Sequence, residues 1–214
     1  MAEIWDLYDI DGNPAGLTMV RGGKAPEGLY HMVCEVLVRH TDGDYLLMHR
    51  CATKPNYPDF WEGTAGGSAL RGEDMLACIR RELREETGIE VGGFTLVARN
   101  LNPLESGIFY SFTCVTDWDK TAVTIQEGET DAFRWVSEGE FVEFVNSGRM
   151  IDLQYERWKD WFSKMGYLKK KRRPKGRLFS CTLFGGSAQP DGDTGEEKKP
   201  GILHRANIRK VAGP

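Results

Sequence analysis

The sequence lacks any apolar run approaching the roughly 20 residues that a helix needs to span a bilayer. Its opening residues, MAEIWDLYDIDG, lack the basic start and apolar stretch of a secretory leader. These two absences lead to the expectation of a cytoplasmic protein with no membrane partner. Cysteine is sparse: five residues, Cys34, Cys51, Cys78, Cys114 and Cys181, with no Cys-x-x-Cys pair among them. That spacing argues against a zinc ribbon, and an odd count without an export signal argues against a disulfide framework, so reduced packing thiols are expected.

What is present suits one ordinary domain with an appendage. The chain has 214 residues, 40% of them hydrophobic and 28% charged, which is normal for a globular protein. The formal net charge of -4 conceals an asymmetry, because the run KKKRRPKGR near residue 170 offsets an acidic body. An acidic body that binds an anionic substrate needs a cation to mediate the contact.

Along the chain, EIWDLYD reads as a strand, followed by a turn at Asp11, Gly12 and Pro14. The runs YHMVCEVLVRH and YLLMHR flank Thr41-Asp42-Gly43-Asp44, a hairpin signal, and are expected to form the central antiparallel pair. A helix is expected from about Glu73 to Thr87, with Glu73 and Asp74 in its first turn and Gly88 as its stop. Further strands are expected in FTLVARNL, IFYSFTCVTDW and DAFRWVS. Two more helices are read in GEFVEFVNSG and LQYERWKDWFSKMGY, where Trp158, Trp161 and Phe162 have the spacing of a core stripe. The domain is placed at residues 1–167. Residues 168–214 form a basic, Gly- and Pro-rich tail without a pattern long enough to bury much surface, apart from LFSCTLF as a candidate edge strand.

The segment GSALRGEDMLACIRRELREETGI carries the chemistry. On a helix, Glu82, Glu85 and Glu86 stand at i, i+3 and i+4 and share one face. Like charges at that spacing disfavour an isolated helix by a few tenths of a kcal/mol per pair, and a divalent cation reverses the sign. Hard oxygen donors without histidine or cysteine favour Mg²⁺ or Mn²⁺ over zinc. Arg81 can pair with Glu85 four residues on, and the glycines at 63, 66 and 67 permit close backbone approach.

The segment resembles the Nudix box, G-x5-E-x7-R-E-U-x-E-E-x-G-U with U aliphatic. Gly67, Glu73, Arg81, Glu82, Leu83, Glu85, Glu86, Gly88 and Ile89 fill every fixed position over residues 67–89. The resemblance implies an α/β (α+β) fold, an α/β/α sandwich on a mixed β-sheet. It also implies that Glu82, Glu85 and Glu86 ligate metal, that Gly66 offers its backbone carbonyl, and that Arg81 orients a carboxylate. Glu73 would cap or support the helix. A further acidic residue would come from QEGETDAFRW, where Glu129 is preferred to Glu127. Relatives are often homodimers.

The expected activity is metal-assisted hydrolysis of a diphosphate linkage, in a nucleoside di- or triphosphate or a nucleoside diphosphate derivative. Tyr57, Phe60 and Trp61 are candidate stacking surfaces for a base. Over roughly residues 3 to 150 the chain is also similar to the branch that includes isopentenyl-diphosphate isomerase. That enzyme carries T-C-C-S-H-P where this chain has Thr64-Ala65-Gly66-Gly67-Ser68, so the cysteine needed for proton transfer across a carbon skeleton is missing, and only His31 matches one of its metal-binding histidines. A nucleotide sensor without turnover is a second alternative. Nucleic-acid binding by the basic run is a third, set against its reading as a solvated charge run.

Overall fold

A computed structural model describes residues 2–169. The expectations for the basic run beyond Lys169, for LFSCTLF, for Cys181 and for the tail lie outside the described residues. Within them the order is β1 (Ile4–Tyr8), β2 (Pro14–Val20), β3 (Tyr30–His40), β4 (Tyr45–Arg50), β5 (Trp61–Glu62), β6 (Thr64–Ser68), α1 (Met75–Thr87), β7 (Thr95–Asn102), β8 (Gly107–Thr116), β9 (Thr130–Val136), α2 (Glu138–Asn146) and α3 (Asp152–Lys164).

The strands join into one mixed sheet with β3 as its spine. On one side β3 runs parallel to β8, from His31 opposite Gly107 to His40 opposite Thr116. On the other it meets β1, then β6 from Val33 opposite Ser68 to Leu37 opposite Thr64, and finally β4. The Asp-Gly hairpin is present, but its strands register only at Arg39 and Tyr45, after which β4 leaves to pair with β9 and β5. The central pair is therefore the parallel β3 and β8, not the antiparallel pair expected. A turn signal reports a local chain reversal and carries no information about a distant strand such as β8, which begins only at Gly107.

Alternation along β3 divides the core in two. Cys34, Val36 and Val38 pack with Cys78, Ile79 and Leu83 of α1 on one face. Leu37 packs with Phe141 and Phe144 of α2 and with Trp158 and Phe162 of α3 on the other. The result is the three-layer α/β/α sandwich, and burial on both faces explains why YHMVCEVLVRH reads as nearly continuous apolar sequence. Trp158 and Phe162 are fully buried, as the stripe predicts, and a ring of that size contributes about 1.5–3 kcal/mol on burial.

Helix α1 starts later than expected. Asp74 is extended, at φ -84° and ψ 174°, and its carboxylate accepts from the amides of Leu76 and Ala77 as an N-cap. Glu73 precedes the helix altogether, so neither acid lies in the first turn. Gly88 ends the helix in the left-handed region at φ 73°, its amide bonded to the Arg84 carbonyl. Cys34, Cys78 and Cys114 are free and buried, and Cys51 is free and half-buried. No helix among the described residues is long and apolar enough to cross a membrane.

Candidate active site

Strands β3 and β6, helix α1 and the loops around residues 54 and 129 enclose a cleft of about 350 Å³. Three of the sequence-nominated glutamates come from one helix face, and Arg81 fixes two of them. Its Nη1 donates to Glu82 Oε1 at 2.8 Å and to Glu85 Oε2 at 3.1 Å. Its Nε and Nη2 donate to the two oxygens of Glu73 at 2.7 and 2.9 Å, and Nη2 also reaches the Ser68 carbonyl at 3.1 Å. All five guanidinium donors are thereby used. Burial alone opposes ionisation of Glu73, but the hydrogen bonds from Arg81 and the Leu70 amide outweigh it and hold this carboxyl below its ordinary value.

The two glycines before α1 are required by close approach. A Cβ on Gly66 would stand 2.2 Å from the Cys34 carbonyl oxygen of the neighbouring strand, and one on Gly67 would stand 2.5 Å from Glu82 Oε1. Gly66 lets β6 lie against β3, and Gly67 lets the Glu82 carboxylate press onto the backbone. The Gly66 amide in turn donates to Glu86 Oε2 at 3.0 Å.

The cleft's other charged groups form pairs. Arg50 Nη1 donates to Glu62 at 3.0 Å, Lys54 binds Glu129, and Arg21 meets Glu3 at 2.7 Å. Arg157 Nε and Nη2 hold Glu35 at 2.9 and 2.7 Å. Ser111 Oγ and Trp158 Nε1 complete the Glu35 shell at 2.7 and 2.8 Å. Among the described residues only one carboxylate of the cleft is touched by no cation, and it is Glu86. Burial raises its pKa well above the ordinary glutamate value, and the charges of Glu62 and Glu82 add to the rise. Burial likewise raises Glu82 and Glu62, each opposed by its arginine partner.

This donor set suits a hard divalent cation: oxygen ligands only, too much negative charge at one point, and an uncompensated carboxylate at its centre. No three acidic, histidine or cysteine side chains among the described residues close tightly enough to enclose an ion as they stand. The reason is visible in the pairing, since Glu82 and Glu85 are turned onto Arg81 and Glu129 onto Lys54.

The structure thus brings Gly66, Arg81, Glu82, Glu85, Glu86 and Glu129 to one cleft. It separates the aromatic candidates. Trp61 and Glu62 are successive residues of β5, and strand alternation sends them to opposite faces. The Trp61 ring lies under Arg134, 4.3 Å from guanidinium to centroid, and 4.8 Å from the His49 ring, away from the cleft. Phe60 meets Tyr57 edge-on at 5.8 Å on the loop surface, and of the three only Tyr57 borders the cleft's outer part. The aromatic lining comes instead from Trp5 and Phe109. Sequence reasoning also missed Glu35, Arg50, Lys54, Glu62 and Arg157. One signal for them was available: a glutamate inside the apolar run YHMVCEVLVRH demands a buried partner.

Comparison with known proteins gives the family and the fold. Residues 29–162 match the NUDIX domain family. A protein of Listeria monocytogenes named as an uncharacterised Nudix hydrolase is 30% identical over 149 residues, 70% of this chain and 88% of its own length. An isopentenyl-diphosphate Delta-isomerase of Corynebacterium diphtheriae is 24% identical over 156 residues, 68% of this chain and 84% of its own. Among solved structures, a Deinococcus radiodurans protein superimposes with a TM-score of 0.58 at 18% identity, over 73% of this chain and 98% of its own, which is a likeness of fold.

Proposed function

The chain belongs to the NUDIX domain family, and from that premise we propose that it is a pyrophosphohydrolase dependent on Mg²⁺ or Mn²⁺. Its substrate would be a nucleoside di- or triphosphate or a nucleoside diphosphate derivative, cut between two phosphorus atoms. The observation that carries this reading is Glu86: a half-buried carboxylate with raised proton affinity, beside Glu62 and Glu82, met only by the Gly66 amide.

Glu82, Glu85 and Glu86, with the Gly66 carbonyl and Glu129, would hold the metal. The bound ion would supply charge neutralisation of the diphosphate and a water of lowered pKa. Arg81 holds Glu82 and Glu85 in place and has no donor left for substrate, so it acts as a positioning residue. Arg50, Lys54 and Arg157 line the same cleft, where the oxygens of a diphosphate would meet them. A glutamate of the cluster would take the proton of the attacking water, releasing a nucleoside phosphate together with inorganic phosphate or pyrophosphate, or with the phosphate monoester of the second group where the diphosphate is esterified at both ends.

The isomerase alternative is disfavoured by its missing acid. Ala65 and Gly66 occupy the segment where a cysteine would stand, Cys51 does not line the cleft, and the hydrogen bond with the Cys78 thiol, with burial added, pushes the Cys34 thiol strongly upward. The deciding experiment is Mg²⁺-dependent turnover of a panel of nucleotides and diphosphate derivatives, with products identified by mass. Glu85→Gln and Glu86→Gln should each lower kcat by about a hundredfold or more, as loss of a preorganised charged group does. Unchanged turnover in both, or conversion of isopentenyl diphosphate without phosphate release, would end the proposal.

A further inference from the structure

The cleft continues past the carboxylates. Arg50, Lys54 and Arg157 border both the inner chamber and an outer one of about 580 Å³, which is walled on one side by the β1 and β2 hairpin. This hairpin precedes the residues matched to the family, which begin at 29. The outer chamber is made differently from the inner one. Trp5 stacks on His31 with ring centroids 4.5 Å apart and planes 18° from parallel. Met19, Phe109, Ile151 and Leu153 supply further apolar surface. The Trp5 indole is held by Nε1 donating to Glu3 at 3.3 Å, and Glu3 is held by Arg21. The flat wall is therefore fixed before any ligand arrives.

His31 gives this wall a polar reading head. Its Nδ1 lies 2.9 Å from the Ser106 carbonyl oxygen, which can only accept, so the proton sits on Nδ1. Burial lowers the imidazole's pKa, which keeps the ring neutral at pH 7. Nε2 is then an acceptor, it meets no protein donor among the described residues, and His31 lines the chamber.

We infer that this outer chamber receives the organic half of the substrate and selects a flat heteroaromatic ring bearing an N–H donor, with Trp5 and His31 as the residues that read it. A hydrocarbon chain would bury the Nε2 acceptor without a donor. A sugar alone would forgo the π face of Trp5. The inference rests on the hydrolase reading of the inner chamber, because the diphosphate must lie at the junction of the two for the ring to reach this wall. It centres base recognition on Trp5 of the N-terminal hairpin and His31 of β3, with Tyr57 the one aromatic of the 57–61 loop that borders the same chamber.

The test is calorimetry on the full chain with Mg²⁺, using methylene-bridged analogues that cannot be cut. The ligands are the analogues of the four common nucleoside diphosphates, a pentose diphosphate analogue without a base, and an isopentenyl diphosphate analogue. At least one nucleoside analogue should bind tenfold or more tightly than the other two kinds. Trp5→Leu keeps apolar bulk and removes the π face. His31→Asn keeps a donor for the Ser106 carbonyl and removes the Nε2 acceptor. Each should reduce that preference at least fivefold, and thermal melting of both variants reports whether the hairpin stays folded. If Trp5→Leu unfolds, His31→Asn decides. A wild-type protein without base preference, or a preference that survives in the folded variants, overturns the inference. Turnover of the cleavable diphosphates is measured separately: base preference without hydrolysis would defeat the hydrolase reading and leave the chamber assignment standing.

Discussion

Arg81 stands on the helix that carries the glutamates, yet its two-pronged partner is Glu73, which lies outside that helix; Nε and Nη2 meet the two Glu73 oxygens at 2.7 and 2.9 Å. The pair ties the loop before α1 to the middle of the helix, and the remaining nitrogen holds Glu82 and Glu85. The planar fork meets both oxygens of Glu73 while its other nitrogen reaches Glu82 and Glu85, a bidentate geometry that a lysine ammonium does not reproduce.

Arg81→Lys should therefore lower stability by about 3 kcal/mol, near the low end of what breaking a buried pair costs, because the two side chains are 17% and 18% exposed. Urea unfolding should show an earlier midpoint at an unchanged slope. Glu73→Gln should move the midpoint the same way by less, since an amide oxygen still accepts one of the two bonds. A wild-type midpoint for Arg81→Lys would show that the contact contributes nothing.

The raised pKa of Glu86 gives a pH dependence with a definite sign. Its proton is held more tightly in the folded chain than in the unfolded one, so protonation favours folding. The metal-free protein should lose stability as pH rises from about the ordinary glutamate value of 4.5 through the higher folded value. Glu86→Gln, which carries no charge to bury, should then exceed the wild type in thermal stability at pH 8 in the presence of a chelator. Added Mn²⁺ should reverse the order, stabilising the wild type by about 2.7 kcal/mol at a hundredfold excess over Kd and leaving the variant unmoved. Identical responses of the two proteins to chelator and Mn²⁺ would refute this account.

Gly66→Ala and Gly67→Ala should fail in different ways. At Gly66 the new methyl meets backbone, the Cys34 carbonyl at 2.2 Å, so β6 must leave β3 and the fold should lose about 3 kcal/mol or more. At Gly67 it meets only the end of the Glu82 side chain, at 2.5 Å, which can swing away. That variant should fold near wild-type stability while losing metal affinity and most of its kcat, as read by melting and Mn²⁺ titration. Equal loss of stability in the two would show that the side chain cannot yield.

Trp61→Leu should cost about 1–2 kcal/mol through the lost stack with Arg134 and His49. Its effect on KM for any diphosphate substrate should stay under threefold, because the indole faces away from the cleft. A large KM change at unaltered stability would return Trp61 to the binding surface.

Local signals explain which parts of the site were legible. Glu82, Glu85 and Glu86 are neighbours on one helix, and three- and four-residue spacing is enough to put them on one face. Arg81 with Glu85 follows from the same geometry. Glu73 was assigned to the first turn because an acid near a helix start is ordinarily a cap, but Asp74 takes that role and frees Glu73 to turn back. Trp61 reads as a candidate stacking surface because it is aromatic, and Glu62 beside it carries no signal of its own. A two-residue strand gives no periodicity from which to learn which of them faces inward.

By itself the sequence determined the helix with its carboxylate face, the glycines in front of it, most strand and helix positions, and the layered fold class, because each is written in contacts spanning a few residues. Only the tertiary structure decided that β3 pairs with β8, that Arg157 locks Glu35 from 122 positions away, and that the N-terminal hairpin walls the outer chamber. Those contacts join segments far apart in the chain, and their partners are chosen by shape and charge once the core has closed. Glu86 acquired its raised proton affinity in the same way, from burial and from the charge of Glu62, both of which only the fold supplies.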